Sequence, residues 1–451
     1  MQEAQSRAIR QQDVFVKARL LAEGIRIREG GNETSGWKLP NQSARDLAGI
    51  ESATGEAVLR ELHDCAAFAA LECAADREFE LDGCGLSVIV TPNHYSRLEL
   101  VMEGGTDAAV IYDGGGVLTT GRVKKPRIPW AGRGLSNGMP IESALPFMSD
   151  TIINLLFHYA CDNWNTGRGC RYCNIFANPV SKQINQESLD SLREMAGLQA
   201  EAIEIVTGLG WRGNLAVTAG ALPARARRSY LDRVEAVLSP VCQALGSDAF
   251  SELFVVFNHY PPEDLSDFER LKALGINGTS LDLEVMDPAY FAAICPGKHA
   301  YRPLEYWKEA QVASTEVFGP YTNTVTGVVV GMEPIPLLIE GFEERLSRGV
   351  LPVPFVFFAA PGSAYEGFRP PTADALVESS EKMAGVLMGY AADILQAAQH
   401  CGAQGAFLGG GEGDLLTFPI ALVFDEFSRQ MQEALSSTAD SSPTQQETIA
   451  G

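Results

Sequence analysis

Two rhythms of apolar and polar positions divide the chain. In the first eighty or so residues apolar side chains recur every three or four positions, in Gln12-Asp-Val-Phe-Val-Lys-Ala-Arg-Leu-Leu-Ala-Glu and across 55–71, and this spacing predicts helices. The Gly-, Asn- and Ser-rich stretch 30–43 joins them as a loop. From Leu86 the apolar runs shorten to Leu86-Ser-Val-Ile-Val, Arg97-Leu-Glu-Leu-Val-Met, Ala108-Ala-Val-Ile-Tyr and Gly116-Val-Leu-Thr-Thr. Turn residues separate them, which predicts short strands. A small α+β domain over 1–147 follows, ending in a Gly- and Pro-rich linker at 130–146. Gly114-Gly-Gly116 reads as a hairpin turn, since a phosphate loop needs a strand before it and a helix after it.

From about residue 150 apolar strands alternate with amphipathic helices, the pattern of parallel α/β architecture. Strands are expected at 152–159, 215–218, 253–257, 280–284, 324–330 and 354–358, with helices at 187–204, 226–245, 262–274, 303–317 and 336–348. Six such units fit a partial or complete (β/α) barrel of the TIM type, in which functional residues gather at the carboxyl ends of the strands. The barrel, with a long helix at 372–399, would occupy 148–435, and a Ser-, Thr- and Gln-rich disordered tail 436–451.

Composition narrows the function. With 46% hydrophobic and 20% charged residues, the 451-residue chain has the make-up of a soluble globular protein. No apolar run reaches the length of a membrane span, and the start, Met1-Gln-Glu-Ala-Gln, lacks a signal-peptide pattern, so a cytoplasmic protein without membrane contact is expected. A net charge of -22 argues against nucleic acid as a partner. The basic run Arg122-Val-Lys-Lys-Pro-Arg127 reads as a solvated loop, and a small-molecule or peptide substrate is favoured.

The nine cysteines are too few for a disulfide scaffold of this size. Three of them, Cys161, Cys170 and Cys173, fall within thirteen residues, directly after the strand expected at 152–159. Four thiolates would close a zinc or iron–sulfur site, whereas three leave a coordination position for a ligand that is not protein. A zinc knuckle on Cys170 and Cys173 lacks the second pair it needs. Cys65, Cys73 and Cys84 match no auxiliary-cluster motif and read as buried thiols, as does Cys242. The other strand ends carry Thr218-Ala219-Gly220, Asn258-His259, Asp282-Leu-Glu284, Gly331-Met-Glu333 and Pro361-Gly-Ser363. Cys295, Asn258 and His259 are candidate catalytic groups at the barrel mouth, with a packing role the competing reading for Cys295.

In this order the motifs resemble those of radical S-adenosylmethionine (SAM) enzymes, in the biotin-synthase-like and lipoyl-synthase-like branches. Cys170-Arg-Tyr-Cys173 is similar to the second half of that superfamily's cysteine motif, and Thr218-Ala-Gly220 stands where it has Gly-Gly-Glu. Leu281-Asp-Leu-Glu284 stands where it has a ribose-contacting acid, and Gly327-Val-Val-Val-Gly331-Met-Glu333 resembles its Gly-x-Ile-x-Gly element. The likeness spans 150–365; the departures are a C-x8-C-x2-C spacing and the missing acid after Gly220. The resemblance implies a [4Fe-4S] cluster on Cys161, Cys170 and Cys173, with SAM on the remaining iron. Reductive cleavage of SAM would give a 5'-deoxyadenosyl radical that abstracts hydrogen from substrate, in an oxygen-sensitive enzyme served by a reductant such as flavodoxin or ferredoxin. It further implies Glu284 at the ribose, Tyr172 and Val329 at the adenine, and Lys298 or Arg302 at the SAM carboxylate. Backbone carbonyls of Thr218, Ala219 and Gly220 would hold the amino group, with Gly331 and Glu333 completing the cofactor site. The alternatives are a non-catalytic iron–sulfur or zinc-binding barrel protein in electron transfer or binding, and a zinc-dependent barrel hydrolase.

Overall fold

A computed structural model describes residues 8–27, 78–90, 93, 96–103, 106–124, 128–130, 132–145, 152–158, 160–173, 188–359, 363–400 and 420–440. The helix expected at 55–71, the loop at 30–43, Cys65 and Cys73 lie outside them.

Helix α1 (Gln11–Glu23) has two apolar faces. Val16 and Leu20 pack on the N-terminal sheet, while Val14, Ala18 and Ala22 join the core of the second half of the chain. That sheet contains β1 (Arg26–Ile27), β2 (Glu78–Leu81), β3 (Ser87–Ile89), β4 (Leu98–Met102), β5 (Ala108–Asp113) and β6 (Gly116–Val123), in the order β1-β4-β5-β6-β2-β3. The turn between β5 and β6 is the glycine hairpin the sequence indicates, with Gly114 and Gly115 at φ +57° and +98°. Strand β2 was not among the expected strands, although Glu78-Phe-Glu-Leu81 alternates polar and apolar and buries Phe79 and Leu81. Cys84 is buried in this core, as expected.

The segment 130–146 is a packed element rather than a free linker. Trp130, Leu135 and Ile141, the last in helix α2 (Ile141–Ala144), are buried in the core of the second sheet. Its Gly and Pro content masks those three anchors.

The second sheet holds β7 (Ile152–His158), β8 (Asn214–Ala219), β9 (Val255–Asn258), β10 (Gly278–Ser280), β11 (Tyr321–Val330) and β12 (Val350–Val356). They lie side by side in chain order and every pairing is parallel. Among the described residues no pairing joins β7 to β12, so the sheet is open. Pro352 and Pro354 give a physical reason: at alternate positions of an outermost strand, their missing N–H groups fall on one side. The crossover helices are α3 (Asp162–Asn165), α4 (Leu189–Gly208), α5 (Ala224–Arg227), α6 (Tyr230–Leu245), α7 (Ser247–Ser251), α8 (Asp267–Ala273), α9 (Pro288–Ile294), α10 (Pro296–Tyr301), α11 (Leu304–Phe318) and α12 (Ile335–Leu346). Ser188 caps α4, and Asp287, followed by Pro288, caps α9 through the amides of Ala289 and Tyr290.

Several expected boundaries move; the strand expected at 354–358 is Val350–Val356, and the helix expected at 187–204 runs on to Gly208. The strand expected at 280–284 ends at Ser280, because Asp282 turns inward and Glu284 takes a left-handed φ of +71°. The helix expected at 262–274 begins only at Asp267, since Asp264 Oδ1 first accepts the Ser266 amide in a turn. Helices α13 (Ala373–His400) and α14 (Val423–Asp440) close the fold against α1, and α14 runs past residue 436, where the tail was expected to begin. No helix among the described residues is long and apolar enough to cross a membrane.

Candidate active site

Parallel pairing sets the ends of β8, β9 and β10 level: Thr218, Asn258 and Ser280 are successive partners, and Ser280 pairs with Val325 in the middle of β11. A chain of polar contacts runs along this row. Thr218 Oγ1 donates to Asn258 Oδ1 (2.9 Å) and Asn258 Nδ2 to Asp282 Oδ2 (2.9 Å). Asp282 Oδ1 accepts from Ser280 Oγ (2.6 Å) and the Gly327 amide (2.7 Å). Four strands are thus tied together just where their side chains turn into the mouth.

The three cysteines occupy the loop that follows β7, and each is half-buried. Cys161 begins α3, whose first amide, on Asp162, bonds the Ala221 carbonyl (2.8 Å) and so ties this loop to the one after β8. Gly220 makes that approach possible, because a Cβ there would lie 2.3 Å from the Ala160 carbonyl oxygen and 2.8 Å from Cys161 Cβ. Further on, the Arg171 amide bonds the Ile294 carbonyl at the end of α9 (2.9 Å), and the Arg171 carbonyl accepts the Tyr365 amide (3.1 Å). Cys170 and Tyr172 pack on the same apolar cluster as Val329.

The electrostatics of this loop are set by buried neighbours. Cys295, buried where α9 meets α10, hydrogen-bonds the Cys170 thiol; that bond, aided by the Lys298 ammonium, holds Cys170 below the usual thiol range. Burial pushes the Cys161 thiol up. Lys298 Nζ lies 2.6 Å from Glu284 Oε1 and 2.7 Å from the Asp282 carbonyl. Burial opposes its charge, and Glu284, Cys170, Cys295 and Asp282 together outweigh it, so Lys298 stays protonated. Burial brings the His259 imidazole down to about 3, leaving a neutral ring whose Nε2 donates to the Gly220 carbonyl (3.2 Å).

No family model matches the chain. Over 387 residues it is 37% identical to the bacteriochlorophyllide c C-7(1)-hydroxylase of Chlorobaculum limnaeum, an alignment covering 85% of this chain and 87% of that protein. The chain belongs to the family of this hydroxylase. Its relative is an enzyme, and the alignment is long enough to take in both sheets.

Within this hydroxylase-family fold, the expected residues divide into three groups. Cys170, Tyr172, Cys173, Glu284, Cys295 and Lys298 come together: the Glu284 carboxylate and all three of those thiols act on the Tyr172 phenol. Thr218, Asn258 and His259 form the adjoining polar wall, with Ala219 and Gly220 beside it. Arg302 and Glu333 stand apart. The Arg302 guanidinium lies over the rings of Tyr301 and Tyr306, 5.3 and 5.4 Å from their centroids. Both Glu333 oxygens accept backbone amides, those of Met286 (2.7 Å) and Asp287 (2.9 Å), and Gly331 turns against Pro371.

Asp282 is the residue that motif reading passed over. Its carboxylate, two positions before Glu284, acts through strand register, which no local motif marks. Among the described residues no three His, Cys, Asp or Glu side chains converge as ligands of a single ion. A [4Fe-4S] cluster would call for thiolates spread over several iron atoms. Three thiols on one loop, one of them held towards the thiolate, fit that demand.

Proposed function

We propose that this chain is a radical SAM enzyme that hydroxylates a bacteriochlorophyllide-class substrate. The observation that carries the reading is the three-cysteine loop, tied by backbone bonds to the loops after β8 and β10 at the carboxyl end of a parallel sheet. The related hydroxylase supplies the substrate class.

Cys161, Cys170 and Cys173 would hold a [4Fe-4S] cluster. When bound, that cluster would deliver an electron to SAM, the resulting 5'-deoxyadenosyl radical would take a hydrogen atom from the substrate, and the substrate radical would return one electron to the cluster as water adds its hydroxyl and loses a proton. The chain's own residues supply orientation and a dry setting. Glu284, fixed by Lys298, would hydrogen-bond the ribose hydroxyls. Tyr172 and Val329 offer the apolar surface an adenine needs. The backbone carbonyls near Gly220 would hold the amino group, the Gly220 carbonyl already accepting from His259. Lys298 is already matched to Glu284, so its charge orients that acid and is not held in reserve for the SAM carboxylate.

The test is turnover. Reconstituted protein given SAM, a reductant and bacteriochlorophyllide c should yield a product heavier by one oxygen atom, and the Cys170→Ala/Cys173→Ala protein should yield none. Native protein that holds its cluster and cleaves SAM, yet leaves the tetrapyrrole unchanged, would sink the substrate assignment.

A further inference from the structure

We infer that a pocket beside the cysteine loop is a subsite for a carboxylate of the substrate, with Arg168 and Arg227 as its cationic groups. The inference rests on the bacteriochlorophyllide reading above and deepens it. The pocket is walled by residues from four successive strand-end loops, among them Asn163, Arg168, Arg227, Tyr260, Gly297 and Tyr301. Arg168 lies between Cys161 and Cys170 in sequence, so the pocket adjoins the proposed cluster loop.

Its walls are fixed before any ligand arrives. Asn163 donates from Nδ2 to the Tyr260 hydroxyl and packs on Gly297, where a Cβ would lie 2.2 Å from the Asn163 Cγ. The Tyr301 ring carries two guanidinium groups, Arg227 at 5.5 Å and Arg302 at 5.3 Å from its centroid. Neither has a carboxylate within hydrogen-bonding distance among the described residues; Glu263 comes closest to Arg227, at 3.9 Å. Arg227 Nε is shielded from solvent and has no hydrogen-bond partner there. Arg168 makes one long side-chain contact, 3.4 Å to Thr166 Oγ1. The single acid in the lining is Asp162.

In a chain of net charge -22, Arg168 and Arg227 line this one pocket, and Arg302 shares the Tyr301 ring with Arg227. Like charges held together with unmet donors favour an anion, and the planar guanidinium fork matches the two oxygens of a carboxylate. Bacteriochlorophyllides are free acids, so the substrate class brings such a group. Anchoring it at the rim would leave the ring system to extend over the mouth towards Tyr172 and the cysteines.

The test compares bacteriochlorophyllide c with its methyl ester by quenching of protein fluorescence on the reconstituted protein, with SAM affinity measured alongside. Native protein should bind the acid roughly tenfold to hundredfold more tightly than the ester. Arg227→Gln and Arg168→Gln should each lower acid affinity towards that of the ester, leaving ester and SAM affinity unchanged, while Arg227→Lys keeps part of the preference. Should Arg227→Gln unfold in a thermal melt, Arg168→Gln carries the same comparison. Equal binding of acid and ester, or variants that weaken SAM instead, would overturn the subsite and leave the bacteriochlorophyllide reading standing. Failure of both acid and ester to bind native protein would remove that reading, and the subsite with it.

Discussion

Lys298 and Glu284 form a buried ion pair at 2.6 Å, with side chains 10% and 13% exposed, and the same ammonium also holds the Asp282 carbonyl. One cation therefore fixes the loop after β10, where Glu284 sits at a φ of +71° that non-glycine residues rarely adopt. Removing one partner strands the other charge: Lys298→Met should cost about 3–5 kcal/mol in denaturant unfolding and weaken SAM binding. Adding Glu284→Gln to Lys298→Met should recover much of the stability and none of the SAM affinity. A double variant no more stable than Lys298→Met alone would show that the pair is not coupled.

Lys17 of α1 and Asp425 of α14 meet at 2.6 Å with both side chains fully buried. Burial, partly countered by Lys17, pushes the Asp425 carboxyl up to about 6. The folded state thus keeps this proton to about pH 6, the unfolded chain only to about 3.8. Its contribution to stability is greatest at low pH and is lost as pH rises through 6, by roughly 3 kcal/mol in all. Unfolding of native protein against the Lys17→Met/Asp425→Leu protein between pH 4 and pH 7 should show that difference. The double variant should also match or exceed native stability at pH 7, whereas either single change should fall about 3–5 kcal/mol short.

His259 predicts the opposite sign. Its folded imidazole titrates at about 3 and the unfolded one at 6.5, so its contribution is complete above pH 6.5 and is lost as pH falls towards 3. The slope is about 1.4 kcal/mol per pH unit. His259→Gln, which keeps a donor for the Gly220 carbonyl, should flatten unfolding free energy between pH 6.5 and pH 4 relative to native protein. An unchanged acid limb in the variant would contradict a buried neutral imidazole.

Much of this architecture is visible in the sequence, for a physical reason. Strands buried on both faces are rich in apolar residues, so 152–159 announces β7 almost to the residue, while 324–330 finds β11 but not its polar start at Tyr321–Asn323. The cysteine loop is visible because thiol spacing is a local property. Contacts between distant segments are not local. Nothing near Thr218 says that Asn258 and Asp282 will stand level with it, because that alignment depends on the register of three strands. Arg227 and Arg302 likewise meet only through Tyr301. Trp130 and Ile141 were hidden by the glycines and prolines around them, although both are buried.

Gly220 tests the joint between the first two strand-end loops. Gly220→Ala places a methyl group 2.3 Å from the Ala160 carbonyl oxygen, so one of the two loops must move. The expected outcome is a folded protein with reduced iron and sulfide content after reconstitution, read by metal analysis, and a loss of about 1–3 kcal/mol in stability. Full iron content in Gly220→Ala would mean that cluster assembly tolerates the displacement.

All the chemistry proposed for this chain rests on the cysteine loop. Its most direct test is the formation of 5'-deoxyadenosine from SAM by anaerobically reconstituted, dithionite-reduced protein, in the native form and with Cys161, Cys170 and Cys173 each changed to Ala. Native protein should give 5'-deoxyadenosine, and none of the three variants should give any above background. A native protein that carries its cluster and leaves SAM intact, or a Cys170→Ala/Cys173→Ala protein that cleaves it at the native rate, would contradict it.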